Sequence, residues 1–271
     1  MELIDFLQYG FVQRALVAGT FIALLCSTLG IFLVLRRFSL IGDGLAHATF
    51  GSVALAMLLN MTPLYVSIPF VMACSLGILK LTENARLYGD AAIGVVSSMG
   101  IATGIILSSI AGGFNVDLFS YLFGSILSIS TTEVIISTVL SLLVILVIIL
   151  CYHELMSITF DAESAKVSGI NTKLINNIFV LLTAMTVVLS MKVVGILLIS
   201  ALFIFPPITA LQIAQSFNMM IICSGLSAII SVVSGIIISF FLDLPTGATI
   251  VVMNFILFTA VIMHKKLITR R

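Results

Sequence analysis

The chain has 271 residues, of which 61% are hydrophobic and 8% are charged, and its formal net charge at pH 7 is +1. Soluble domains carry about 25% charged residues, so this composition excludes a water-soluble globular protein. This net charge does not indicate nucleic-acid binding. We interpret the basic C-terminal tail as a membrane-edge anchor.

Long apolar runs recur along the chain. They are about 16 to 25 residues long, which is enough for a helix to cross a bilayer. The runs are continuous and lack strict alternation, which favours helices over strands. We therefore predict an all-α fold, a polytopic transmembrane helical bundle that forms one domain over residues 1–271. About nine spans are predicted, near residues 12–35, 45–60, 64–79, 91–110, 132–151, 173–191, 193–212, 217–241 and 247–264.

Basic residues orient these spans through the positive-inside rule. Ten of the twelve Lys and Arg residues follow spans one, three and five or end the chain, and only Arg14 and Lys192 do not. The ten are Arg36, Arg37, Lys80, Arg86, Lys166, Lys173, Lys265, Lys266, Arg270 and Arg271. If all ten are cytoplasmic, the N-terminus is external, the C-terminus is cytoplasmic and the chain crosses nine times.

The short apolar segment 117–130 does not cross in this solution. As a helix it would rise only about 21 Å, less than the hydrocarbon core of about 30 Å. We expect a re-entrant or interfacial helix there, because irregular backbone at that depth is tolerated where it lines a cavity. The alternative, ten crossings, would place some of the basic connections outside.

Asp43 and His47 lie four residues apart at the start of the second predicted span. Residues with this spacing share one face of a helix. A carboxylate and an imidazole on one face can bind a borderline divalent metal such as Zn²⁺, Mn²⁺ or Fe²⁺. Ionisable residues at membrane depth usually face a pathway, which favours a functional role. A second interpretation stays open from the residues alone: a capped helix start and a satisfied polar packing residue.

The connection at about residues 160–170 predicts a short amphipathic helix on the cytoplasmic face. Asp161 is a suitable N-cap, Glu163 is favourable in the first turn, and Gly169 is a suitable C-terminal stop. From the residues alone, this helix is either a solvated connector or a docking site for a soluble partner.

Two local patterns inside the predicted spans indicate helix packing and helix shape. Gly100 with Gly104, and Gly44 with Ala48, are small residues four apart that allow close helix approach. We interpret both pairs as packing within the chain rather than as a dimer seam. The adjacent prolines at 206–207 remove backbone donors, so we expect a break or kink in span seven.

Three stretches of the sequence resemble the permease subunits of ABC transporters that import zinc, manganese or iron, often called the ABC-3 family. Residues 30–48 read GIFLVLRRFSLIGDGLAHA, similar to the family pattern G-x-F-L-V-L-R-R-x-S-L-x-G-D-A-x-S-H-A. Residues 117–127 read DLFSYLFGSIL, similar to D-L-x-x-Y-L-F-G-x-I-L. The third stretch runs from FDAESA at 160–165 to VGILLISALFIFPPITA at 194–210. The motifs keep their order, and the resemblance covers nearly the whole chain.

The resemblance implies a homodimeric permease that works with two copies of a cytoplasmic ABC ATPase and an external metal-binding protein. It implies that Asp43 and His47 are the metal ligands of the pathway. It also implies that the helix at about 160–170 is a coupling helix that docks on the ATPase. The docking residues are then Asp161, Glu163, Ala165 and Gly169.

Two positions near the metal pair depart from the family pattern. Gly44 and Ala46 stand where the family commonly has Ala and Ser, so a possible hydroxyl near the metal path is missing. Residues 49–51 read Thr-Phe-Gly in place of the frequent Leu-Pro-Gly, so the helix loses a kink-prone proline. Neither departure removes Asp43 or His47.

The sequence predicts a transport subunit rather than an enzyme. No lysine follows a glycine, so the chain has no Walker A loop, and ATP is expected on the partner subunit. The chain itself binds no cofactor, and its cargo is a divalent metal: zinc first, with manganese or iron as alternatives. An ion-coupled secondary transporter and an intramembrane enzyme are further hypotheses, disfavoured because the chain lacks the acids or motifs that each requires. We expect the protein in a bacterial cytoplasmic membrane.

Overall fold

The computed structural model describes residues 8–84, 88–113, 116–125 and 130–269, and every regular element in these ranges is helical. The helices are α1 (Gly10–Leu35), α2 (Ile41–Leu58), α3 (Pro63–Asn84), α4 (Gly89–Ile110), α5 (Val116–Phe123), α6 (Thr131–Leu150), α7 (Tyr152–Phe160), α8 (Ala162–Val167), α9 (Thr172–Ser190), α10 (Ile199–Ile213), α11 (Phe217–Leu242) and α12 (Thr246–Thr269). A 3-10 turn, Ile196–Leu198, precedes α10. Of the basic residues predicted to be cytoplasmic, Arg86, Arg270 and Arg271 lie outside the described residues.

Eight of the described helices are long and apolar enough to cross a bilayer, and α10 is a ninth, shorter apolar helix. This confirms the all-α, polytopic fold class. Helix α2 is among the most interior of the long helices, with 72% of its apolar window buried, whereas α3, α4 and α6 each bury only 22%. The helix that carries Asp43 and His47 is therefore held from several sides, and the outer helices offer most of their surface to lipid.

The seventh span differs from its prediction. A span was expected over 193–212, but the helix begins at Ile199 and is preceded by an irregular turn in which Gly195 has φ +90°. The expected break at the two prolines is wrong, because α10 continues through both Pro206 and Pro207. Hydropathy could not show this, since residues 193–198 are as apolar as the helix that follows them.

The prolines instead bring α10 against α1. Pro207 has no N–H to donate to the carbonyl of Phe203, which is therefore left without its usual intrahelical partner. That carbonyl faces Gly30 of α1, where an added Cβ would collide with the Phe203 oxygen and would lie 2.9 Å from Pro207 Cγ. The two backbones can touch only because residue 30 has no side chain.

The last residues of α1, α3, α6 and α12 lie at the same end of the bundle, which we call the basic end. Short connections between neighbouring long helices make those helices antiparallel. Side-chain hydrogen bonds join separate segments at this end: Arg36 Nε to Thr159 Oγ1 at 2.8 Å, Tyr152 Oη to Asn218 Oδ1 at 2.7 Å and Lys265 Nζ to Gln212 Oε1 at 3.3 Å. The predicted grouping of the basic residues at one end agrees with this arrangement.

The opposite end, which we call the glycine end, is closed by the glycines at 124, 195 and 247. Gly124 and Gly195 have φ of +77° and +90°, and a Cβ on Gly195 would lie 2.5 Å from the Gly124 nitrogen. A Cβ on Gly247 would collide with the carbonyl of Val194. Backbone therefore packs on backbone where α5, the turn before α10 and the start of α12 meet.

Helix α5 also lies at the glycine end. It has eight residues and rises about 12 Å, so it does not cross a bilayer, as predicted. The Ser125 amide donates to the Lys192 carbonyl at 3.1 Å, which fixes the segment to the turn before α10. The Lys192 ammonium lies 3.2 Å from the Glu133 carboxylate and 4.7 Å from the centre of the Tyr121 ring. Residues 126–129 of the predicted segment lie outside the described residues.

Candidate functional site: a metal pair and a surface helix

Asp43 and His47 lie on one face of α2, as their spacing predicts. The helix begins at Ile41, so Asp43 is in its first turn, where a carboxylate is favoured by the helix dipole. His47 follows one turn later, and its Nε2 lies 3.6 Å from Asp43 Oδ2. The side chains are 20% exposed for His47 and 47% exposed for Asp43, so the pair is open to the outside of this chain.

Glycines fix the position of His47 by bringing α4 against α2. A Cβ on Gly100 of α4 would lie 2.5 Å from the His47 carbonyl oxygen, and a Cβ on Gly44 would lie 2.6 Å from Ile93. Gly104 faces the ring of Phe50 in the same way. Between membrane helices such close packing is the main attraction, because lipid tails are as apolar as the side chains. Both small-residue pairs thus pack within the chain, as predicted.

The pair supplies two metal ligands. Among the described residues, no group of three or more His, Cys, Asp or Glu side chains is placed to bind a metal together. Zinc and its neighbours bind at least four ligands, so Asp43 and His47 leave open positions on a metal ion. Because the pair faces out of the chain, these positions are accessible to another molecule.

The predicted amphipathic helix is present at the basic end as α8, and its cap is the predicted one. Asp161 Oδ1 accepts from the amides of Glu163 at 3.0 Å and Ser164 at 3.1 Å, and Ser164 Oγ donates to Asp161 Oδ2 at 2.6 Å. These hydrogen bonds, first the one from the Ser164 hydroxyl, lower the pKa of the Asp161 carboxyl below its ordinary value of 3.8. The cap is therefore fully ionised at neutral pH.

The end of α8 is a Schellman turn. Gly169, with φ +88°, donates its amide to the Lys166 carbonyl at 3.1 Å, and Ile170 donates to the Ala165 carbonyl at 3.1 Å. Asp161, Glu163 and Gly169 are exposed, whereas Ala165 is only 3% exposed. The Ala165 methyl group anchors α8 to the bundle, and the opposite side of the helix faces outwards.

Two apolar residues beside this helix were not identified from the sequence. Val167, the last residue of α8, is 89% exposed, and Phe160, the last residue of α7, is 64% exposed. Neither belongs to a predicted span, so lipid does not account for their exposure. The available signal was that Val167 is the one large apolar side chain in the segment AESAKV. Exposed apolar surface of this kind marks a protein–protein contact where it forms part of a larger patch with a polar rim.

Arg36 is a third residue that was missed as a site residue. It directly follows α1, and its guanidinium bonds to α7 and α9, which precede and follow α8. From the sequence, Arg36 was one of the basic residues that orient the spans and part of the family-like stretch at residues 30–48, with no site role assigned. Its partners lie 119 to 140 residues further along the chain, so no local pattern could reveal them.

An all-helical, multi-span chain with a carboxylate–imidazole pair on an interior helix has the features of a membrane transport subunit. Residues 8–265 match the ABC 3 transport family, and the chain belongs to that family of metal transport permeases. The ATPase activity of such systems is on a partner subunit.

Relatives with different metals in their names match most of this chain. A probable iron transport system membrane protein of Haemophilus influenzae is 34% identical over 98% of this chain and 97% of its own length. The manganese transport protein MntC of Halalkalibacterium halodurans is 32% identical over 93% of this chain and 86% of its own length. The zinc uptake protein ZnuB of Haemophilus influenzae is 31% identical over 90% and 94%. The family is shared across these metals.

The fold is also that of a solved transporter. A chain of PsaBC from Streptococcus pneumoniae, solved in complex with a Fab, superposes with a TM-score of 0.83 at 30% sequence identity. The match covers 95% of this chain and 93% of that chain. The helical arrangement described above is therefore that of a known ABC transporter subunit.

Proposed function

We propose that this chain forms the translocation pathway of an ATP-driven importer of a divalent transition metal, with Asp43 and His47 as the ligands of the moving ion. The observation that carries the proposal is the 3.6 Å pair on an interior membrane helix, open to the outside of the chain. Ionisable residues on a membrane-spanning helix are costly unless they face a pathway. The setting we propose is a bacterial cytoplasmic membrane, with the basic end on the cytoplasmic side.

The pair is completed by a second copy of the chain. Two protomers supply two carboxylates and two imidazoles, which is a sufficient ligand set for a first-row divalent ion. Each chain contributes only two ligands, so separating the protomers would open the site and release the ion. A conduit needs this weak, divided ligation because the metal must leave as well as enter.

Helix α8 docks on the cytoplasmic ATPase. Val167 is its exposed apolar anchor, and Asp161, Glu163 and Gly169 surround that anchor on the outward-facing side. ATP-driven closure of two ATPase subunits moves the two copies of α8 and alternates access to the metal pair. An external binding protein delivers the metal at the glycine end.

Zinc is the proposed cargo. Imidazole suits zinc, and for a given nitrogen and oxygen site the affinity rises from manganese through iron to zinc. The bound ion is therefore held most firmly when it is zinc, and selection against other metals is left to the external binding protein. Manganese is the first alternative, followed by ferrous iron.

Reconstituted transport tests this proposal. The permease is placed in liposomes with its ATPase and binding protein, and uptake of radioactive zinc, manganese and iron is measured with ATP or with a non-hydrolysable analogue. We expect ATP-dependent zinc uptake. Uptake of manganese alone would retain the mechanism and change the cargo. Uptake that follows an ion gradient and ignores ATP would refute the importer and support a secondary transporter.

A further inference from the structure

We propose that Arg36 is a positioning residue that couples helix α8 to the metal pair by tying the start of α2 to both segments that flank α8. The proposal rests on the function proposed above, because it needs an ATPase that moves α8. It adds a residue that contacts neither the metal nor the partner. The proposal is carried by the placement of one half-buried guanidinium, which is hydrogen-bonded to both α7 and α9.

Arg36 bonds to three acceptors at once. Nε donates to Thr159 Oγ1 at 2.8 Å, Nη2 donates to the Leu155 carbonyl at 3.0 Å, and Nη1 donates to Asn176 Oδ1 at 3.0 Å. Its Cζ also lies 4.7 Å from the centre of the Phe179 ring. Leu155 and Thr159 belong to α7, and Asn176 and Phe179 belong to α9. A planar five-donor fork can satisfy this arrangement, whereas a lysine ammonium cannot reach all three acceptors.

All three acceptors are neutral. Burial lowers the pKa of Arg36 to about 10, which leaves the guanidinium charged at neutral pH. Each acceptor that is removed from this half-buried cation costs a charge-assisted hydrogen bond. The segments on both sides of α8 are therefore bound to one point on the chain.

Only the short turn between α1 and α2 separates Arg36 from the metal pair. Arg36 is seven residues before Asp43, and backbone hydrogen bonds brace both ends of the turn between them. The Phe38 amide donates to Leu33 at 2.9 Å, the Ile41 amide to Phe38 at 3.0 Å and the Asp43 amide to Leu40 at 3.1 Å. Through these bonds a displacement of Arg36 reaches the start of α2.

Helix α8 is also held closely by its neighbours. Asp161 is the single residue between α7 and α8, and Ala165 is buried against the bundle. A push on α8 therefore moves α7 and α9 with it, and Arg36 passes that movement to the start of α2. A cavity of about 410 Å³, lined by Arg36, Phe38, Phe160, Asn176 and Phe179 among others, adjoins the contact and provides space for the rearrangement.

The coupling ratio, metal transported per ATP hydrolysed, tests the proposal in the reconstituted complex. In Arg36→Gln we expect ATP hydrolysis within about twofold of wild type and a coupling ratio at least about tenfold lower, since several charge-assisted bonds are lost. Arg36→Lys should fall between the two. Arg37→Gln is the matched control, because Arg37 is the exposed neighbour with the same charge, and its coupling ratio should be unchanged.

A second variant covers the case in which Arg36→Gln does not fold. Asn176→Leu removes one acceptor and leaves the arginine in place, and we expect a partial loss of coupling. In the double variant with Arg36→Lys, the two losses should be less than additive, as for residues in one network.

Three results would overturn the inference. Uptake and hydrolysis that fall in the same proportion would make Arg36 a residue for stability alone, and uptake and hydrolysis that both stay at the wild-type level would remove any role. The third result is strict additivity of Asn176→Leu with Arg36→Lys. A wild-type complex without ATP-dependent uptake would refute the proposed function itself, which separates that failure from these.

Discussion

The two ends of the bundle are joined in different ways. At the glycine end, Gly124, Gly195 and Gly247 mainly place backbone against backbone. At the basic end, Arg36 joins three segments through side-chain hydrogen bonds beside a cavity of about 410 Å³. Steric contacts of the first kind fit one arrangement only, whereas hydrogen bonds of the second kind can break and form again.

This difference between the two ends indicates that movement enters the molecule at the basic end. A closely packed backbone seam resists small displacements, and a polar network next to free volume permits them. Helix α2 extends from the basic end towards the other, and its metal pair lies in the first two turns at the basic end. We therefore expect changes at the glycine end to affect stability first, and changes at the basic end to affect coupling first.

The largest expected effect is on the glycine seam. Gly195→Ala adds a Cβ against the backbone of residues 123–124, in addition to the strain of φ +90°. Gly112→Ala is the matched control, because Gly112 has φ +97° but open space around its Cβ. We expect Gly195→Ala to lose about 1–3 kcal/mol more than the control, the usual cost of overpacking. Thermal unfolding of the purified permeases measures the difference. Equal losses would show that the seam is not tightly packed.

The next effect is on the α2–α4 contact that positions His47. In Gly100→Ala, the new methyl group meets the His47 carbonyl, and we expect a loss of about 1–3 kcal/mol in stability. Uptake per folded molecule should also fall, because the new methyl group displaces α2. Gly94→Ala lies on the same helix with nothing within 4 Å, and it should be neutral or slightly stabilising.

Uptake measured per folded molecule separates these two variants. If Gly100→Ala transports as well as Gly94→Ala, the close approach of α4 has no part in placing the metal pair. That result would leave the seam at the glycine end as the one steric contact with a demonstrated consequence.

A smaller effect is expected at the docking surface. Val167→Asp places a carboxylate where an apolar anchor is proposed, and we expect the affinity for the ATPase to fall about tenfold, as for an interface anchor. Val167→Leu retains the apolar character and should bind normally. Titration of the ATPase onto immobilised permease gives both affinities. Unchanged binding of Val167→Asp would move the docking surface away from this face of α8.

The smallest effect is on the cap of α8. The pKa of Asp161 is lowered in the folded protein, so the cap stabilises α8 above the ordinary pKa of 3.8 and this contribution is lost as the pH falls through the lowered pKa. Asp161→Asn retains an acceptor and removes this titration. In the wild type, the protection of the Glu163 and Ser164 amides against hydrogen exchange should therefore fall at acid pH, after correction for the intrinsic exchange rate. In Asp161→Asn this protection should not change with pH. The same pH profile in both would exclude the cap as its cause.

Local signals predicted most of the fold. Span two was expected at 45–60 and begins at Ile41, and the eight-residue α5 agrees with the expectation that 117–130 does not cross. The cap at Asp161 and the stop at Gly169 were also predicted, because both are set by residues within one turn. Hydropathy, charge and capping act over short distances, which is why one sequence was sufficient.

Contacts between distant segments could not be predicted in this way. The turn before α10 exists because Gly195 packs on Gly124, and the apolar residues around it look like a continuous span. Ala165 was expected at the docking surface as part of the coupling helix, and only the tertiary packing shows that its methyl group is buried. The partners of Arg36 were hidden for the same reason.

The proposal that Asp43 and His47 bind the transported metal is tested most directly by ATP-dependent zinc uptake in the reconstituted complex with His47→Ala. His153→Ala is the matched control, because His153 is an exposed histidine near the basic end. We predict that His47→Ala lowers uptake about a hundredfold without changing the unfolding temperature, since half of each protomer's ligand pair is lost. His153→Ala should transport normally. Undiminished uptake by a well-folded His47→Ala permease would contradict the account and leave His47 as a packing residue.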